Sequence, residues 1–291
     1  LDVVPAGEPL FVPRIENGRI YARGALDMKS PVAVNLAALA YAMNKDIRFG
    51  VLLTSDEETT SNGIKALVKH ENINARIVLD TDAGDLFTLC DKAKHPVSVR
   101  IAAGGENAHS SRPWEGINAV KHLIGCLNEL AAGFGDYEKG GRQPENIWQD
   151  TMVITAFNSP TTYNVVPAEA EARVNFRLTE KISLPELEKK LHAACRQHGC
   201  TYEILLSSRG VYMDVSMPEI AAYRRIAEEV IGQPLKISQM CGGTDARMFA
   251  DRSVIVMHSV NGENAHGDGE YVEIESIKKL LEIEKRYIDA Y

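Results

Sequence analysis

The chain has 291 residues, enough for one large or two ordinary domains, and its apolar and charged fractions, 45% and 25%, are those of a globular protein. Lys and Arg together number 32 against 40 Asp and Glu, and the formal net charge of −8 argues against nucleic acid or an anionic membrane as the main partner. No apolar run reaches membrane-spanning length, and five cysteines without a CxxC spacing read as reduced thiols of a cytoplasmic protein.

The chain opens on Leu1-Asp2-Val3-Val4-Pro5, which reads as the end of a strand and its exit turn, so a segment upstream is expected. A short strand over 19–22, a glycine turn at Gly24 and a helix over 29–43 follow, Ser30-Pro31 suiting the helix's first turn. Phe49-Gly50-Val51-Leu52-Leu53 is an apolar run of strand length that leads into Asp56-Glu57-Glu58. Next come a short helix over 64–69 and a strand over 76–79 that ends at Asp80. Strands nearly continuous in Val, Ile and Leu, alternating with helices, predict an α/β fold with a mostly parallel sheet flanked by helices.

Between residues 95 and 207 the pattern changes. Strands over 97–102, 151–157, 169–178 and 202–206 and helices over 116–132 and 184–198 occur in the order β-α-β-β-α-β, a ferredoxin-like α+β unit inserted into the first domain, with a loop over 133–149. A helix over 218–231, a tight turn at Gly242-Gly243-Thr244 into a short helix, a strand over 253–257 and a terminal helix over 274–291 then resume the α/β pattern. The expected domains are therefore 1–94 and 208–291, two parts of one domain, around an insertion of 95–207.

Ligands of an open parallel sheet gather beyond the carboxyl ends of its strands. The polar residues at those ends are Asp2, Asp27, Asp56-Glu57-Glu58, Asp80, Asp82 and His266. Three adjacent acids at the end of a buried strand repel one another and lose hydration, so they require balancing cations or donors. An isolated run of three acids is more often a solvated loop. Carboxylates and a histidine on one edge, however, are what a divalent metal site requires, with zinc, manganese or cobalt suited to that donor set.

With those residues in order, the chain resembles the M20-type metallopeptidases and deacylases, a group that includes aminoacylases, carboxypeptidase G, succinyl-diaminopimelate desuccinylase, acetylornithine deacetylase and di- and tripeptidases. The resemblance spans the chain: Leu1 to Pro5 is similar to the tail of H-x-D-x-V-P and Gly24 to Lys29 to G-R-G-x-x-D-M-K. Asp56-Glu57-Glu58, Ala108-His109-Ser110-Ser111, Asn164-Val165-Val166-Pro167, Gly242-Gly243-Thr244-Asp245-Ala246 and Ala265-His266 follow.

The resemblance implies a two-metal site, zinc with cobalt or manganese as substitutes. Asp27 would bridge the two ions, Glu58 and His266 would complete one shell, and Asp80 would hold the second ion beside a histidine expected just upstream of Leu1. Asp82 rivals Asp80 for that place. Glu57 would be the general base, and Asp2 would orient the upstream histidine. His109 would stabilise the oxyanion, often from a partner subunit. Asn164 and Arg177 would bind substrate, and Gly242, Gly243 and Thr244 would offer backbone N–H groups to a carboxylate. The inserted domain would act as lid and dimerisation surface of a homodimer. The implied reaction is hydrolysis of an amide bond in a short peptide or N-acyl amino acid. The competing reading is a catalytically impaired relative that binds without turnover, since one expected ligand lies outside the chain. The Asp27-Met28 peptide is expected to be cis.

Overall fold

The computed structural model describes residues 3–59, 61–71, 73–135, 137, 148–160 and 163–291. Asp2, and most of the loop expected over 133–149, lie outside the described residues. In chain order the elements begin with β1 (Arg14–Glu16), β2 (Arg19–Tyr21), α1 (Ser30–Ala42), α2 (Asn62–His70), β3 (Ile77–Asp80), β4 (Thr88–Ala93) and β5 (His95–Gly104). Then come β6 (Ala108–His109), α3 (Ala119–Ala131), β7 (Thr151–Asn158), β8 (Val165–Val166), β9 (Glu169–Leu178), α4 (Leu184–His198), β10 (Cys200–Ser207) and β11 (Val211–Tyr212). The last are α5 (Pro218–Ile231), β12 (Lys236–Met240), β13 (Val254–Met257), β14 (Gly262–Glu263), β15 (Tyr271–Glu273) and α6 (Ile274–Asp289). They form two units, Leu1–Ala93 with Val211–Met240 and Thr244–Tyr291, and Lys94–Gly210 with Cys241–Gly243.

The second unit has strand order β10-β5-β9-β7 with every pair antiparallel, and the connectivity is β-α-β-β-α-β. Period-2 alternation explains why one face is covered. Val97, Val99, Ile101 and Ala103 on β5 and Ala170, Ala172, Val174, Phe176 and Leu178 on β9 all turn inward. Leu123, Cys126, Leu127 and Leu130 of α3 and Leu187, Leu191 and Cys195 of α4 meet them at helical spacing. Ser183 and Glu186 close a capping box at the start of α4, and Gly199 in the left-handed region ends it.

The first unit departs from the mostly parallel sheet expected. Its five-stranded sheet has the order β11-β4-β13-β3 with β12 beside β4. Only β3 with β13 and β4 with β12 are parallel, while β11 and β13 run antiparallel to β4. Continuous apolar runs report burial on both faces, not direction, and the short turn from β3 to β4 reverses the chain. The run Phe49 to Leu53 is a second departure: it forms no strand, and Leu52 and Leu53 are exposed. Phe49 to Leu52 line a cavity of about 950 Å³ with Ile77, Val78 and Leu79 instead of pairing with a neighbour. An apolar run becomes a strand only where a ladder partner stands beside it.

The second sheet of the first unit, β1-β2-β15-β14, is antiparallel and places the chemistry. Tyr21 at the end of β2 lies opposite Tyr271 at the start of β15, so the turn after one strand and the loop before the other are neighbours. Gly262 permits the pairing behind them, since a Cβ there would sit 2.1 Å from the Tyr271 carbonyl oxygen.

Candidate active site

Three elements bring acids and a histidine together. Asp27 sits in the irregular turn before α1, where Asp27 and Met28 leave helical φ/ψ and their peptide is cis. Glu57 and Glu58 occupy the turn before α2. The third acid of that run, Asp56, accepts hydrogen bonds from Asn62 N at 2.6 Å and Gly63 N at 3.0 Å, and so caps α2. His266 projects from the loop between β14 and β15, with φ +65°. Its Nε2 lies 2.9 Å from Asp27 Oδ2 and 3.3 Å from Glu58 Oε1. One ligand atom from each of the three falls within 4.8 Å of the others.

Asp27, Glu57, Glu58, Asp80, Asp82 and Asp245 line one cavity of about 130 Å³, and among the described residues no lysine or arginine lines it. The crowding has an electrostatic signature. Burial first, and then the Asp245 carboxylate, push Glu57 up to about 7 against the pull of Arg247. Burial and the carboxylates of Asp80, Asp27, Glu57 and Glu58 hold Asp82 well above the usual carboxylate range. A divalent cation fits this donor set: oxygen and imidazole ligands, and a surplus of negative charge with no side-chain cation lining the cavity.

Asp80 and Asp82 differ in their surroundings. Asp80, at the end of β3, is buried, and its Oδ1 accepts the Asp82 N–H at 3.1 Å. Burial raises its pKa against the hydrogen bonds from Thr244 and the Asp82 N–H, while the charges that raise Asp82 are those of Asp80, Asp27, Glu57 and Glu58. His258, the other histidine near a strand end, is fully buried. Its Nε2 donates to the Leu86 carbonyl and its Nδ1 accepts from Tyr223 Oη, each at 3.0 Å, and burial lowers its pKa to about 4. It is a satisfied core residue.

In the second unit β6 pairs with β8, which sets His109 opposite Val165, and Ser110 N donates to the Asn164 carbonyl at 2.9 Å. His109 Nδ1 accepts the Ser111 N–H at 3.2 Å, so the neutral ring carries its proton on Nε2. Arg177 is not with them. It lies near the far end of β9, its Nε donating to Asn175 Oδ1 at 3.2 Å, and eight residues of strand put it about 26 Å from Glu169. Thr244 caps the short helix Asp245–Phe249 through the Ala246 N–H. Gly242 and Gly243 precede it and group with the second unit.

The model of peptidase family M20/M25/M40 matches residues 1–290. The chain belongs to this family. Among relatives of this M20 chain, the succinyl-diaminopimelate desuccinylase of Sulfurovum sp. is 29% identical over 309 residues, covering 100% of the chain and 82% of that protein. That of Dechloromonas aromatica is 28% identical over 318 residues, covering 99% and 81%. In fold it is similar to aminopeptidase PepT from Bacillus cereus, with TM-score 0.75 at 22% identity over 96% of this chain and 76% of that one. The M20 family metallo-carboxypeptidase of Sulfolobus solfataricus gives 0.69 at 18% identity over 94% and 78%. Among the described residues no helix of this M20 chain is long and apolar enough to cross a membrane.

The sequence assigned no role to four residues of this region: Arg23, Asp245, Arg247 and Glu270. Arg23 stands directly before the turn glycine, and Glu270 follows His266 by four residues, so both lie beside the motifs. The Arg247 guanidinium reaches Ser61 Oγ at 3.2 Å.

Proposed function

We propose that this M20 hydrolase is a metal-dependent enzyme that cleaves the amide bond of a short peptide or an N-acyl amino acid in the cytoplasm. The observation that carries the reading is the convergence of Asp27, Glu58 and His266 on one point, with Glu57 on the wall of the same cavity. Asp27, Glu58 and His266 would hold one ion, and Asp27 with Asp82 would contribute to a second. Asp80 and Asp82 both line the cavity, and Asp82 is preferred for the second ion because Oδ1 of Asp80 is engaged by the Asp82 N–H. A divalent ion bound there, zinc by family habit, supplies Lewis acidity that polarises a carbonyl and lowers the pKa of water.

The chain's own residues do the rest. Glu57, adjacent to Glu58 but assigned no ligand role, takes a proton from the attacking water and passes it to the departing nitrogen. His109 presents an Nε2–H suited to an oxyanion, and Asn164 stands beside it. Arg177 offers a planar pair of donors to a substrate carboxylate. Gly242, Gly243 and Thr244 add backbone donors. We read His109 with Asn164 and Arg177 as serving one substrate with a second copy supplying one set, the inserted unit acting as lid and as the surface of a homodimer.

The likeness to desuccinylases makes N-succinyl amino acids the first substrates to test, beside N-acetyl amino acids and dipeptides. The impaired-relative reading gains nothing from the geometry, since the acids and His266 converge as a working site requires. With zinc or cobalt added, the protein is expected to hydrolyse a member of this panel, and Glu57→Ala to lower kcat by about 10²–10⁴-fold. Equal turnover by Glu57→Ala would reject the mechanism.

A further inference from the structure

We infer that the buried pair Arg23–Glu270 is a positioning clamp that fixes two metal ligands from opposite ends of the chain; the inference rests on the metal site proposed above. Both side chains are only 2% exposed, and Arg23 Nη1 meets Glu270 Oε2 at 2.6 Å. A carboxylate has about four acceptor sites, and Glu270 uses all of them. Oε2 also takes the Gly24 N–H at 2.9 Å, and Oε1 takes the N–H groups of Leu26 at 2.9 Å and of Asp27 itself at 3.1 Å. From the same pair, Arg23 Nη2 donates to the His266 carbonyl oxygen at 3.0 Å.

Two of these bonds reach a ligand's own backbone, at the Asp27 N–H and the His266 carbonyl, and those to Gly24 and Leu26 hold the turn that carries Asp27. The turn carrying Asp27 has no regular helical ladder at Asp27 and Met28, so three of its N–H groups depend on one side chain. His266 sits in the left-handed region with Asn264, a conformation that non-glycine residues hold only where the surroundings impose it. The clamp therefore ties the Asp27 turn to the His266 loop, and those two ligands stand 2.9 Å apart. A buried ion pair is by itself weak evidence of added stability, since apolar replacements of equal volume are often neutral. Three main-chain N–H groups converging on Glu270 are not explained by charge pairing alone. Groups that orient metal ligands in this way govern affinity at a distance, by roughly 10- to 100-fold.

The test uses Co²⁺ alone as the probe, titrated into the full chain and followed by its visible absorption, with circular dichroism as the record of folding. The unmodified protein is expected to bind Co²⁺. Glu270→Gln is expected to weaken binding roughly 10- to 100-fold and to alter the absorption band. Glu284→Gln, a buried acid on α6 away from the ligands, should leave both unchanged. If Glu270→Gln does not fold, the double variant Arg23→Met with Glu270→Leu removes both charges at similar volume and is expected to fold with the same loss of affinity. Failure of the unmodified protein to bind Co²⁺ overturns the metal site and the clamp together. Binding within twofold of the unmodified protein by the folded Glu270 variant overturns the clamp and leaves the metal site standing.

Discussion

Glu284 shows what one buried residue imposes on the protein's stability. It is 1% exposed on α6, neither carboxylate oxygen has a hydrogen-bond partner among the described residues, and burial raises its pKa from 4.5 to about 8. Between those values the folded state keeps a proton that the unfolded state has released. The unfolding free energy therefore falls as pH rises from about 4.5 and levels off above about 8, with a slope of at most about 1.4 kcal/mol per unit from this group. Urea denaturation at about pH 5 and about pH 8 should show this fall, and Glu284→Gln should flatten it. A variant with the slope of the unmodified protein would assign the pH dependence to other groups. The acids of the site divide in the same residue-by-residue way: Asp56 answers to the backbone of α2, Asp80 to the backbone of Asp82, and Glu58 to His266.

At the scale of elements, α2 depends on a residue outside itself. Its first residues have no side-chain cap from Ser61, which lies in the left-handed region, so Asp56 supplies the acceptors for Asn62 and Gly63. Gly63 suits that approach, because a Cβ would sit 2.8 Å from Asp56 Oδ1 and the carboxylate would have to shift. Asp56→Ala is expected to cost about 1 kcal/mol and to speed amide exchange at Asn62 and Gly63. Unchanged exchange there would mean that α2 keeps its first turn without the cap. Since Glu57 and Glu58 lie between Asp56 and α2, the same bonds anchor the turn from which they project.

For the whole molecule, a cation that binds only the folded chain stabilises it by mass action, about 2.7 kcal/mol at a free concentration 100 times the dissociation constant. Thermal unfolding in excess zinc should occur at a higher temperature than in the presence of a chelator. Coincident curves would argue that the carboxylates around Asp27 hold no ion in solution. The linkage has a structural basis. Asp27, Glu58 and Asp82 precede the inserted unit and His266 follows it, so an ion there would bridge segments that the chain itself connects only through long excursions.

The sequence by itself determined the elements whose period is self-sufficient. The helix over 218–231 recurs as α5 and the alternating strands of the inserted unit as β5 and β9, because local spacing alone decides which face is apolar, while the helix at 29–43 recurs as α1 through its Ala and Leu content and the Ser30-Pro31 first turn. It also supplied Asp27, Glu58 and His266, whose residue types and flanking motifs pointed to a metal before any distance was known. Tertiary structure alone decided the rest. Strand direction around β4 depends on a reversal between β3 and β4, and the run at 49–53 found no ladder partner. The hydrogen bond from the Asp82 N–H to Asp80 Oδ1 is a contact that only the folded turn shows. The Arg23–Glu270 pair spans 247 positions, and no local pattern encodes a hydrogen bond between residues so far apart.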